Sequence, residues 1–475
     1  MQPRPHRYHK IAGATDSGIR RALLYFAGWG FPADTLDVSV PGYDTYILWD
    51  YATAPEDTVD PDSLVGGYDE VVVVAWSFGV RSAAPWLAST HARVTRTIAV
   101  NGTETHVDDL CGIPQAIFDG TLNGLSDKTF YKFMQRACGS SASSREYFNS
   151  IKPLVQAADT GRLRHELEMF GRIGPCESRN LWSLALIGSA DRIFPPENQR
   201  RAWEGKTETR VIEGGDHYLP FSEIRRHIVD KQLVSKRFSN AAATYCRHSG
   251  VQQFTSDRLN ELLSQTRINP DPTVIEIGAG NSPLFGADTT PADYRRLEIW
   301  DIAATDRSRF PADAHLLQTD AEIHIAEIAD RSVDLVVSSS TIQWFNSPER
   351  FVATMATKLT PGGVAALAFY RPGTLGELAG ITGITLRYPR LDRLGAVARE
   401  AGLEIVAAQC DDLRLEFDSA AEALRHLRLT GVNAVETDAH ARAAALKFMR
   451  HAPESPDGKV TLTYRPAWLV ARKPL

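Results

Sequence analysis

Ser77 lies where the sequence changes pattern abruptly, in the stretch VVVVAWSFGVRSAA from Val71 to Ala84. Four β-branched residues, typical of a buried strand, are followed by a turn of small residues and then by helix-compatible sequence. A sharp strand-to-helix turn exposes a serine hydroxyl at a helix N-terminus, where free N–H groups favour developing negative charge. The pattern here is A-W-S-F-G, whereas the usual nucleophile signature is G-x-S-x-G. An ordinary strand–loop–helix junction with an N-cap serine is the alternative interpretation.

A serine becomes a nucleophile only when a base takes its proton, and a carboxylate usually orients that base. Asp191 follows the strand-like run LWSLALIG, and His217 follows the next one, TRVIEGG. The order serine, acid, histidine is that of an α/β-hydrolase. An oxyanion hole is predicted from the backbone N–H groups of Phe78 and Trp29, since Trp29 lies between two glycines that permit close approach. The alternatives are a loop-capping aspartate, a surface histidine and a core tryptophan.

A glycine-rich loop follows a predicted strand in VIEIGAGNS, from Val274 to Ser282. A lone G-x-G is weak evidence, but Glu276, Gly278 and Gly280 form an E-x-G-x-G pattern. That pattern resembles motif I of class I S-adenosylmethionine methyltransferases. A plain NAD-binding Rossmann domain is the alternative, and Glu276 and a later TPGG turn count against it. We therefore predict these three residues as cofactor-binding.

Two aspartates follow the next strands of this second pattern. Asp301 ends the strand-like run EIWDI, where an acid can accept hydrogen bonds from ribose hydroxyls. Asp320 follows the third strand, in QTDAE, and is predicted to bind the adenine amino group.

Two α/β patterns succeed one another along the chain and would position these residues. The chain has 475 residues, enough for two domains of ordinary size. Short apolar runs punctuated by glycine, with helical sequence between them, predict a mostly parallel sheet in each half. We expect an α/β-hydrolase domain over residues 1–229, with an inserted helical lid at about 122–179. A class I Rossmann-like methyltransferase domain is expected over residues 230–475.

Composition excludes several classes of protein. The net charge of −6 argues against a nucleic-acid-binding protein. The five cysteines are scattered and never in C-x-x-C spacing, which predicts no metal site and suits a reducing compartment. The N-terminal sequence lacks an apolar signal region, and no long apolar run appears. We therefore expect a cytoplasmic protein that does not act at a membrane.

Both halves resemble known families. The second half, Lys236–Leu475, resembles the malonyl-acyl-carrier-protein O-methyltransferases of biotin synthesis (the BioC family), through RFSNAAATY, SSSTIQWF, PGTLGEL and LRLTGVNA. Roughly residues 20–225 resemble the pimeloyl-acyl-carrier-protein methyl ester esterases, most closely the BioG type. The motifs FAGWGF, AWSFG, GSADRIFP and GGDHYLPF carry that second resemblance.

The resemblance implies a bifunctional enzyme that uses S-adenosylmethionine and acts on acyl carrier protein. One domain methylates the malonyl carboxylate, and the other hydrolyses the pimeloyl methyl ester. No dedicated base is expected for methyl transfer, because a carboxylic acid is already ionised at pH 7. Tyr245, Gln343 and Trp344 are predicted to close over cofactor and substrate, with ordinary packing as the alternative.

Two other functional hypotheses remain open on the sequence. One is a thioesterase or general carboxylesterase fused to a small-molecule carboxyl methyltransferase. The other is an inactive docking module in front of the methyltransferase, against which the intact serine, acid and histidine set counts.

The predicted lid is locally basic. The segment Lys128–Arg179 holds nine Lys and Arg residues against five Asp and Glu residues, in a chain of net charge −6. Because a carrier protein is acidic, opposite charge would steer its docking. Arg162 and Arg164, two residues apart, are predicted to belong to this docking surface. A solvated helix face is the alternative.

Overall fold

The chain forms two compact units, residues 1–228 and 229–475. The sequence predicts a boundary near residue 230, next to the one observed. The computed structural model describes residues 5, 7–13, 18–51, 58–139, 141–176, 181–280, 282–287, 293–430, 438–453 and 457–475, apart from the side chains of 243, 246, 247 and 438–440. The motif LRLTGVNA at 427–434 therefore lies partly outside the described residues.

Unit 1 is built on a seven-stranded sheet. Its strands are β1 (Arg7–Ile11), β2 (Arg21–Phe26), β3 (Tyr43–Trp49), β4 (Glu70–Trp76), β5 (Val94–Val100), β6 (Leu184–Gly188) and β7 (Thr209–Ile212). Their order in the sheet is β1-β3-β2-β4-β5-β6-β7, in which β1 is antiparallel to β3 and the other pairs are parallel. β2 and β4 are buried along their whole length, as expected of a parallel sheet covered on both faces. The loops after β2 to β7 therefore converge at one edge of the sheet.

Four helices of unit 1 form an insertion between β5 and β6. The helices of the unit are α1 (Pro61–Val65), α2 (Phe78–Leu87), α3 (Gln115–Asn123), α4 (Asp127–Cys138), α5 (Ala142–Gln156), α6 (Thr160–Arg172), α7 (Pro196–Trp203) and α8 (Phe221–Arg225). The insertion comprises α3 to α6, so it begins several residues before the predicted start at Leu122. The helices α4, α5 and α6 each begin after an N-cap residue whose side chain accepts a hydrogen bond from the first turn. These residues are Ser126, Ser141 and Asp159.

Unit 2 contains a second seven-stranded sheet and a separate two-stranded sheet. Its strands are β8 (Thr273–Ile277), β9 (Arg296–Asp301), β10 (His315–Gln318), β11 (Val333–Ser339), β12 (Leu359–Tyr370), β13 (Glu404–Cys410), β14 (Leu413–Phe417), β15 (Val460–Tyr464) and β16 (Pro466–Arg472). The large sheet has the order β10-β9-β8-β11-β12-β16-β13, and β14 pairs with β15. The five strands from β10 to β12 are parallel, while β16 is antiparallel to both neighbours. The strand order reverses between β8 and β11, which is where open α/β sheets bind ligands.

The helices of unit 2 cover the large sheet and build a cap with the small one. They are α9 (Lys231–His248), α10 (Gly250–Ser264), α11 (Ala321–His324), α12 (Pro348–Lys358), α13 (Gly376–Thr382), α14 (Leu391–Glu400), α15 (Ala420–Leu429) and α16 (Asp438–His451). One apolar cluster joins Val234 of α9, Leu427 of α15, Phe448 of α16 and Leu462 of β15. No helix in the described part of the chain is long and apolar enough to cross a membrane.

Candidate active sites

The turn from β4 to α2 has the sharp geometry expected of a nucleophile elbow. Ser77 adopts φ 59° and ψ −128°, a left-handed backbone that L-residues rarely take. A Cβ at Gly79 would lie 2.3 Å from the carbonyl oxygen of Phe26, so only glycine fits there. Ala75, by contrast, is fully buried in the strand with its methyl group accommodated. The second glycine of the usual signature is thus required here and the first is not.

Ser77, His217 and Asp191 form a hydrogen-bonded chain at the carboxyl edge of the sheet. His217 Nε2 lies 3.1 Å from Ser77 Oγ, and Nδ1 lies 3.0 and 3.1 Å from the carboxylate oxygens of Asp191. Since a carboxylate only accepts, Nδ1 carries the proton and Nε2 is free to accept from the serine hydroxyl. All three side chains are buried. The three residues predicted from separate loops therefore meet with the geometry of a base-activated serine.

The Asp191 carboxylate is fixed by its own loop and by α7. Oδ1 accepts hydrogen bonds from the N–H groups of Ile193 and Phe194, at 2.8 and 3.0 Å. Oδ2 accepts one from Gln199 Nε2 at 3.0 Å. These donors fix the orientation of the carboxylate and leave it facing the histidine ring.

Two residues that the sequence analysis missed hold the histidine loop. Trp76 Nε1 donates to the carbonyl oxygen of His217 at 2.9 Å, and Asn101 Nδ2 donates to the same oxygen at 2.9 Å. Asn101 Oδ1 in turn accepts from the N–H of Gly188 at 2.7 Å, which ties β6 to the same point. The available signal was the Asn-Gly pair directly after β5.

The predicted oxyanion donors lie beside the serine. Phe78 is the first residue of α2, where the helix offers its N–H no internal partner. A Cβ at Gly28 would lie 3.1 Å from Ser77 Cβ, so the loop after β2 passes close to the nucleophile. Trp29 anchors the lid through a 3.0 Å hydrogen bond from Nε1 to the carbonyl oxygen of Leu163. Its role as an oxyanion donor stays a prediction.

A cleft of about 460 Å³ opens at Ser77 and is covered by the lid. Apolar side chains from the loop after β5, the lid helices and the loop after β6 line most of it: Ile113, Ile117, Phe118, Phe133, Leu167 and Ile193. Arg136 and Arg192 are exposed and complete the lining. The cleft therefore offers an apolar channel with positive charge where it meets solvent.

The prediction that Arg162 and Arg164 form a docking surface is wrong. Arg162 makes a two-pronged ion pair with the buried carboxylate of Asp50. The Arg164 guanidinium donates to the carbonyl oxygens of Leu122 and Leu125, both at 2.6 Å. Arg162 ties the lid to the loop after β3, and Arg164 ties α6 to the end of α3. A separation of two positions in the sequence does not indicate that both arginine side chains make contacts within the protein.

Three exposed positive charges of the lid lie on α4. Lys128, Lys132 and Arg136 are all exposed and follow one another at intervals of four residues. That interval places them on one face of the helix. We call these three residues the α4 stripe.

In unit 2 a cleft of about 870 Å³ lies at the carboxyl ends of the parallel strands. Gly278, Gly280, Asp301 and Asp320, all predicted as cofactor-binding, line it. Gly278 has φ 71°, and a Cβ there would lie 2.0 Å from Thr341 Oγ1. Gly280 has φ 53° with open space around its Cα, so a ligand can approach the backbone closely.

Asp301 and Glu276, both predicted as cofactor-binding, make different contacts. Asp301 accepts hydrogen bonds from the N–H groups of Gly280 and Ala303, at 2.9 and 2.8 Å, and still borders the cleft. Burial raises the pKa of Asp301 above its ordinary value. Glu276 is not among the residues that line the cleft, and its role in cofactor binding stays a prediction. Its two oxygens accept from the N–H groups of Leu284 and Phe285, at 2.7 and 2.9 Å, so it shapes the glycine loop.

Asp320 belongs to a buried charge cluster that the sequence did not suggest. Lys231 Nζ lies 3.3 Å from Asp320 Oδ1 and 2.9 Å from Glu322 Oε2, and all three side chains are almost fully buried. The ammonium group also lies 4.9 Å from the centre of the Phe345 ring. Because one cation faces two carboxylates, this end of the cleft favours ligand groups that donate hydrogen bonds.

The three residues predicted to close over the cleft divide between two cavities. Tyr245 and Trp344 line the large cleft and also an adjoining smaller cavity. Gln343 lines only the smaller cavity, with its Nε2 donating to the carbonyl oxygen of Ser340 at 2.6 Å. Among the described residues, no group of His, Cys, Asp and Glu could hold a metal ion.

Comparison with known proteins agrees with this two-site arrangement. The family model "Pimeloyl-ACP methyl esterase BioG" matches residues 15–227, and the model "Methyltransferase domain" matches residues 275–367. A malonyl-[acyl-carrier protein] O-methyltransferase from Bacteroides fragilis is 30% identical over 477 residues, covering 96% of this chain and 93% of that protein. The chain belongs to this family. It is an enzyme that joins a BioG domain to a methyltransferase domain of Rossmann-like fold.

Other relatives match one half each. A Haemophilus influenzae malonyl-[acyl-carrier protein] O-methyltransferase is 31% identical over 254 residues, covering 51% of this chain and 95% of that protein. The crystal structure of BioG from the same organism is 33% identical, covers 46% of this chain and 95% of that chain, and aligns with a TM-score of 0.37.

A methyltransferase domain of this family implies the use of S-adenosylmethionine, and the residues present fit that cofactor. The glycine loop leaves room at Gly280 for close backbone approach. Carboxylates follow β9 and β10 at Asp301 and Asp320, where ribose hydroxyls and an adenine amino group would find acceptors. The cofactor supplies an electrophilic methyl group when bound.

Proposed function

We propose that the chain catalyses two steps of biotin biosynthesis on acyl carrier protein. Unit 2 methylates the free carboxylate of the malonyl-loaded carrier with S-adenosylmethionine. Unit 1, as an α/β-hydrolase, cleaves the methyl ester of the pimeloyl-loaded carrier. The free cysteines of the described chain fit a reducing compartment, and we place both reactions in the cytoplasm.

Ester cleavage uses the serine, histidine and aspartate in a two-stage acyl transfer. His217 Nε2 takes the proton from Ser77 Oγ as that oxygen attacks the ester carbonyl. The N–H groups of Phe78 and Trp29 stabilise the negative oxygen that forms. His217 then gives the proton to the departing methanol, and water releases the pimeloyl carboxylate by the reverse sequence.

The apolar cleft fits the pimeloyl chain. With its ester carbonyl at Ser77, a seven-carbon acyl chain would lie along Phe118, Phe133 and Leu167 on its way to solvent. The carrier would then lie outside, where Arg136 and the rest of the α4 stripe face an acidic partner. The apolar lining disfavours a free carboxylate at the same depth, because burying an unpaired charge is costly. The esterase product is therefore released.

Methyl transfer needs positioning more than acid–base chemistry. The substrate carboxylate is already ionised at pH 7, so its attack on the methyl group requires no base. Asp301 and Asp320 would hold the nucleoside part of the cofactor, and Tyr245 and Trp344 would exclude water from the cleft. Neutralising the carboxylate lets the acyl chain enter the apolar sites of fatty-acid elongation.

One observation carries this proposal. The chain is related along its whole length to a malonyl-carrier methyltransferase, and it contains both a cofactor cleft and a serine–histidine–aspartate chain. The test incubates the full chain with malonyl carrier protein and methyl-labelled cofactor, then separately with pimeloyl carrier protein methyl ester. We expect label on the carrier in the first reaction and methanol in the second. Labelling of only small-molecule acids, or cleavage of the thioester in place of the methyl ester, would contradict it.

A further inference from the structure

A smaller cavity of about 350 Å³ adjoins the cofactor cleft in unit 2. The two share Phe238, Tyr245, Ser340 and Trp344 as lining residues, so they lie side by side. Beyond these shared walls, seven polar side chains line the cavity: Gln252, Gln343, Tyr370, Thr374, Tyr388, Thr430 and Tyr464. We call this set the tyrosine chamber.

The tyrosine chamber contains polar groups that lack partners. The side-chain oxygens of Gln252 and Gln343 are buried without a hydrogen bond, and the two residues are only 5% and 4% exposed. The hydroxyl of Tyr388 makes no hydrogen bond with any described residue. Because buried polar groups are nearly always paired in folded proteins, the two glutamine oxygens indicate a polar ligand, to which the Tyr388 hydroxyl can add a hydrogen bond.

The charge of the chamber narrows the chemistry of that ligand. None of the described residues that line it is Lys, Arg or His. Burial raises the pKa of Tyr370, Tyr388 and Tyr464, so all three hydroxyls remain protonated and can donate. A half-turn of the Gln252 carboxamide exchanges its oxygen for an NH2 group with little change in shape. The chamber thus offers neutral donors.

The other end of the cofactor cleft cannot serve an anion. Asp320 follows β10, and its neighbour Lys231 is already shared with Glu322. The chamber lies at the opposite side of the parallel strands, where Ser340 follows β11 and Tyr370 ends β12. An anionic group that shares the cavity with the cofactor is therefore repelled from one end and can be hydrogen-bonded at the other.

We propose that the tyrosine chamber receives the free carboxylate of the acyl substrate through neutral donors, chiefly Tyr388 and Gln252, with no cation among the described residues that line it. This inference rests on the proposed methyl transfer. One carboxylate oxygen forms the bond to the methyl carbon as the carbon–sulfur bond breaks, with that electron pair staying on sulfur and no proton moving. Neutral donors orient the carboxylate but withdraw less charge from it than a guanidinium pair, which preserves its nucleophilicity. The unpartnered oxygen of Gln343 suits an N–H donor, such as the amide of the arm that carries the acyl group.

Equilibrium binding to the full chain tests the chamber directly. The probes are malonyl-pantetheine and acetyl-pantetheine, which differ in the carboxylate, measured with S-adenosylhomocysteine present so that no transfer occurs. We expect wild type to bind the malonyl probe about tenfold tighter or more, the scale of hydrogen bonds to a charged group. Gln252→Glu places a like charge in the chamber and should remove that preference, while Tyr388→Phe should reduce it. Both variants should keep acetyl-pantetheine and S-adenosylhomocysteine affinity within about twofold, which also shows that they fold.

Tyr294→Phe is the matched control. Its hydroxyl donates to Asp313 at 2.9 Å in the same unit and does not line the chamber, so the malonyl preference should stay unchanged. If wild type methylates malonyl carrier protein but both chamber variants behave like this control, the chamber inference is overturned and the proposed function stands. If wild type does not methylate that carrier, yet the chamber variants still abolish the malonyl preference, the proposed function fails and the chamber stands.

Discussion

Among single residues, Ser77 has a backbone conformation that its surroundings must enforce. A left-handed non-glycine residue costs on the order of 1–3 kcal/mol. A Cβ at Gly79 would lie 2.3 Å from the Phe26 carbonyl oxygen, and one at Gly102 would lie 2.4 Å from that of Ser77. These two glycines let neighbouring backbone close around the turn. The strained turn is what keeps the hydroxyl out of the strand and within 3.1 Å of His217 Nε2.

Ser77→Ala should abolish ester cleavage, because among the described residues only the Ser77 hydroxyl lies within hydrogen-bond distance of His217 Nε2. Loss of a triad member typically lowers kcat by about 10⁴ to 10⁶. Methyl transfer should be unchanged, since every residue that lines the cofactor cleft lies in unit 2. Both activities of one preparation are measured with pimeloyl carrier protein methyl ester and with labelled cofactor. Ser89→Ala, an exposed serine that follows α2, is the control; residual cleavage within tenfold of it would remove Ser77 from the reaction.

Glu166 on α6 predicts a pH dependence for the stability of unit 1. Burial raises the pKa of this carboxyl from 4.5 to about 8, against the opposing effects of Arg162 and the Tyr51 N–H. The folded state therefore keeps a proton that the unfolded chain releases above pH 4.5, and the free energy of unfolding falls as pH rises towards 8. Glu166→Gln retains an oxygen for the Tyr51 N–H and cannot ionise.

The measurement is the unfolding temperature of the full chain at pH 5 and pH 9. The unfolding temperature of Glu166→Gln, relative to that of wild type, should be higher at pH 9 than at pH 5. Glu168→Gln, whose side chain is 39% exposed on the same helix, should show no such shift. A difference that is the same at both pH values would contradict a buried, proton-retaining Glu166.

Sequence alone predicted which residues meet at each sheet edge, but not the direction of every side chain. Ser77, Asp191 and His217 each end a strand-like run, and strand ends in a parallel sheet converge. Glu276 also belongs to a strand, yet its carboxylate turns away from the cleft to backbone donors at Leu284 and Phe285. The role of Lys231 depends on a contact with residues some ninety positions away, which no local pattern reveals.

At the level of elements, buried parallel strands were predictable and edge or antiparallel strands were not. β4 is apolar from Val71 to Trp76 and β11 from Leu335 to Val337, because both faces of these strands are covered. β1 is largely exposed, and β13 alternates between exposed and half-buried residues, so neither has a strong apolar signal. β16 is apolar over most of its length but lies far along the chain from its partner β12. Its pairing therefore depends on the tertiary fold.

The positive charge of α4 predicts an electrostatic effect on the cleavage of a carrier-bound ester. If the α4 stripe docks an acidic carrier, Lys128→Glu combined with Lys132→Glu should lower kcat/KM for the carrier-bound methyl ester about tenfold at low salt. A short free methyl ester should be cleaved at an unchanged rate. Raising ionic strength to 0.15 M shortens the screening length to about 8 Å and should narrow the gap between wild type and variant.

Lys206→Glu supplies the matched control for that experiment. Lys206 is exposed in unit 1 and precedes β7, at the amino edge of the sheet and away from the loops that form the cleft. Lys206→Glu should leave the cleavage of both esters unchanged. Equal effects of the α4 reversals on the two esters would show that α4 acts only as a cover.

The whole molecule consists of two units that each have their own apolar core. The core clusters of unit 1 pack on both faces of its sheet, and those of unit 2 do the same and extend into the cap. Domains with complete cores can in general fold alone. Residues 229–475, produced separately, should therefore retain methyl transfer within about threefold of the full chain, and residues 1–228 should retain cleavage of a short methyl ester. Labelled transfer, methanol release and cooperative thermal unfolding of each fragment check this; an unfolded fragment from an active parent would contradict it.

Carrying both sets of residues on one polypeptide fixes the ratio of the two active sites at one to one. Under the proposed function, every catalyst that adds the methyl group arrives with one that can remove it, and gene expression cannot adjust their balance. Premature hydrolysis of the freshly made malonyl ester would then be a futile cycle that consumes cofactor. Protection must come from discrimination by chain length within the cleft at Ser77, where a three-carbon acyl group covers far less of the apolar lining than a seven-carbon one.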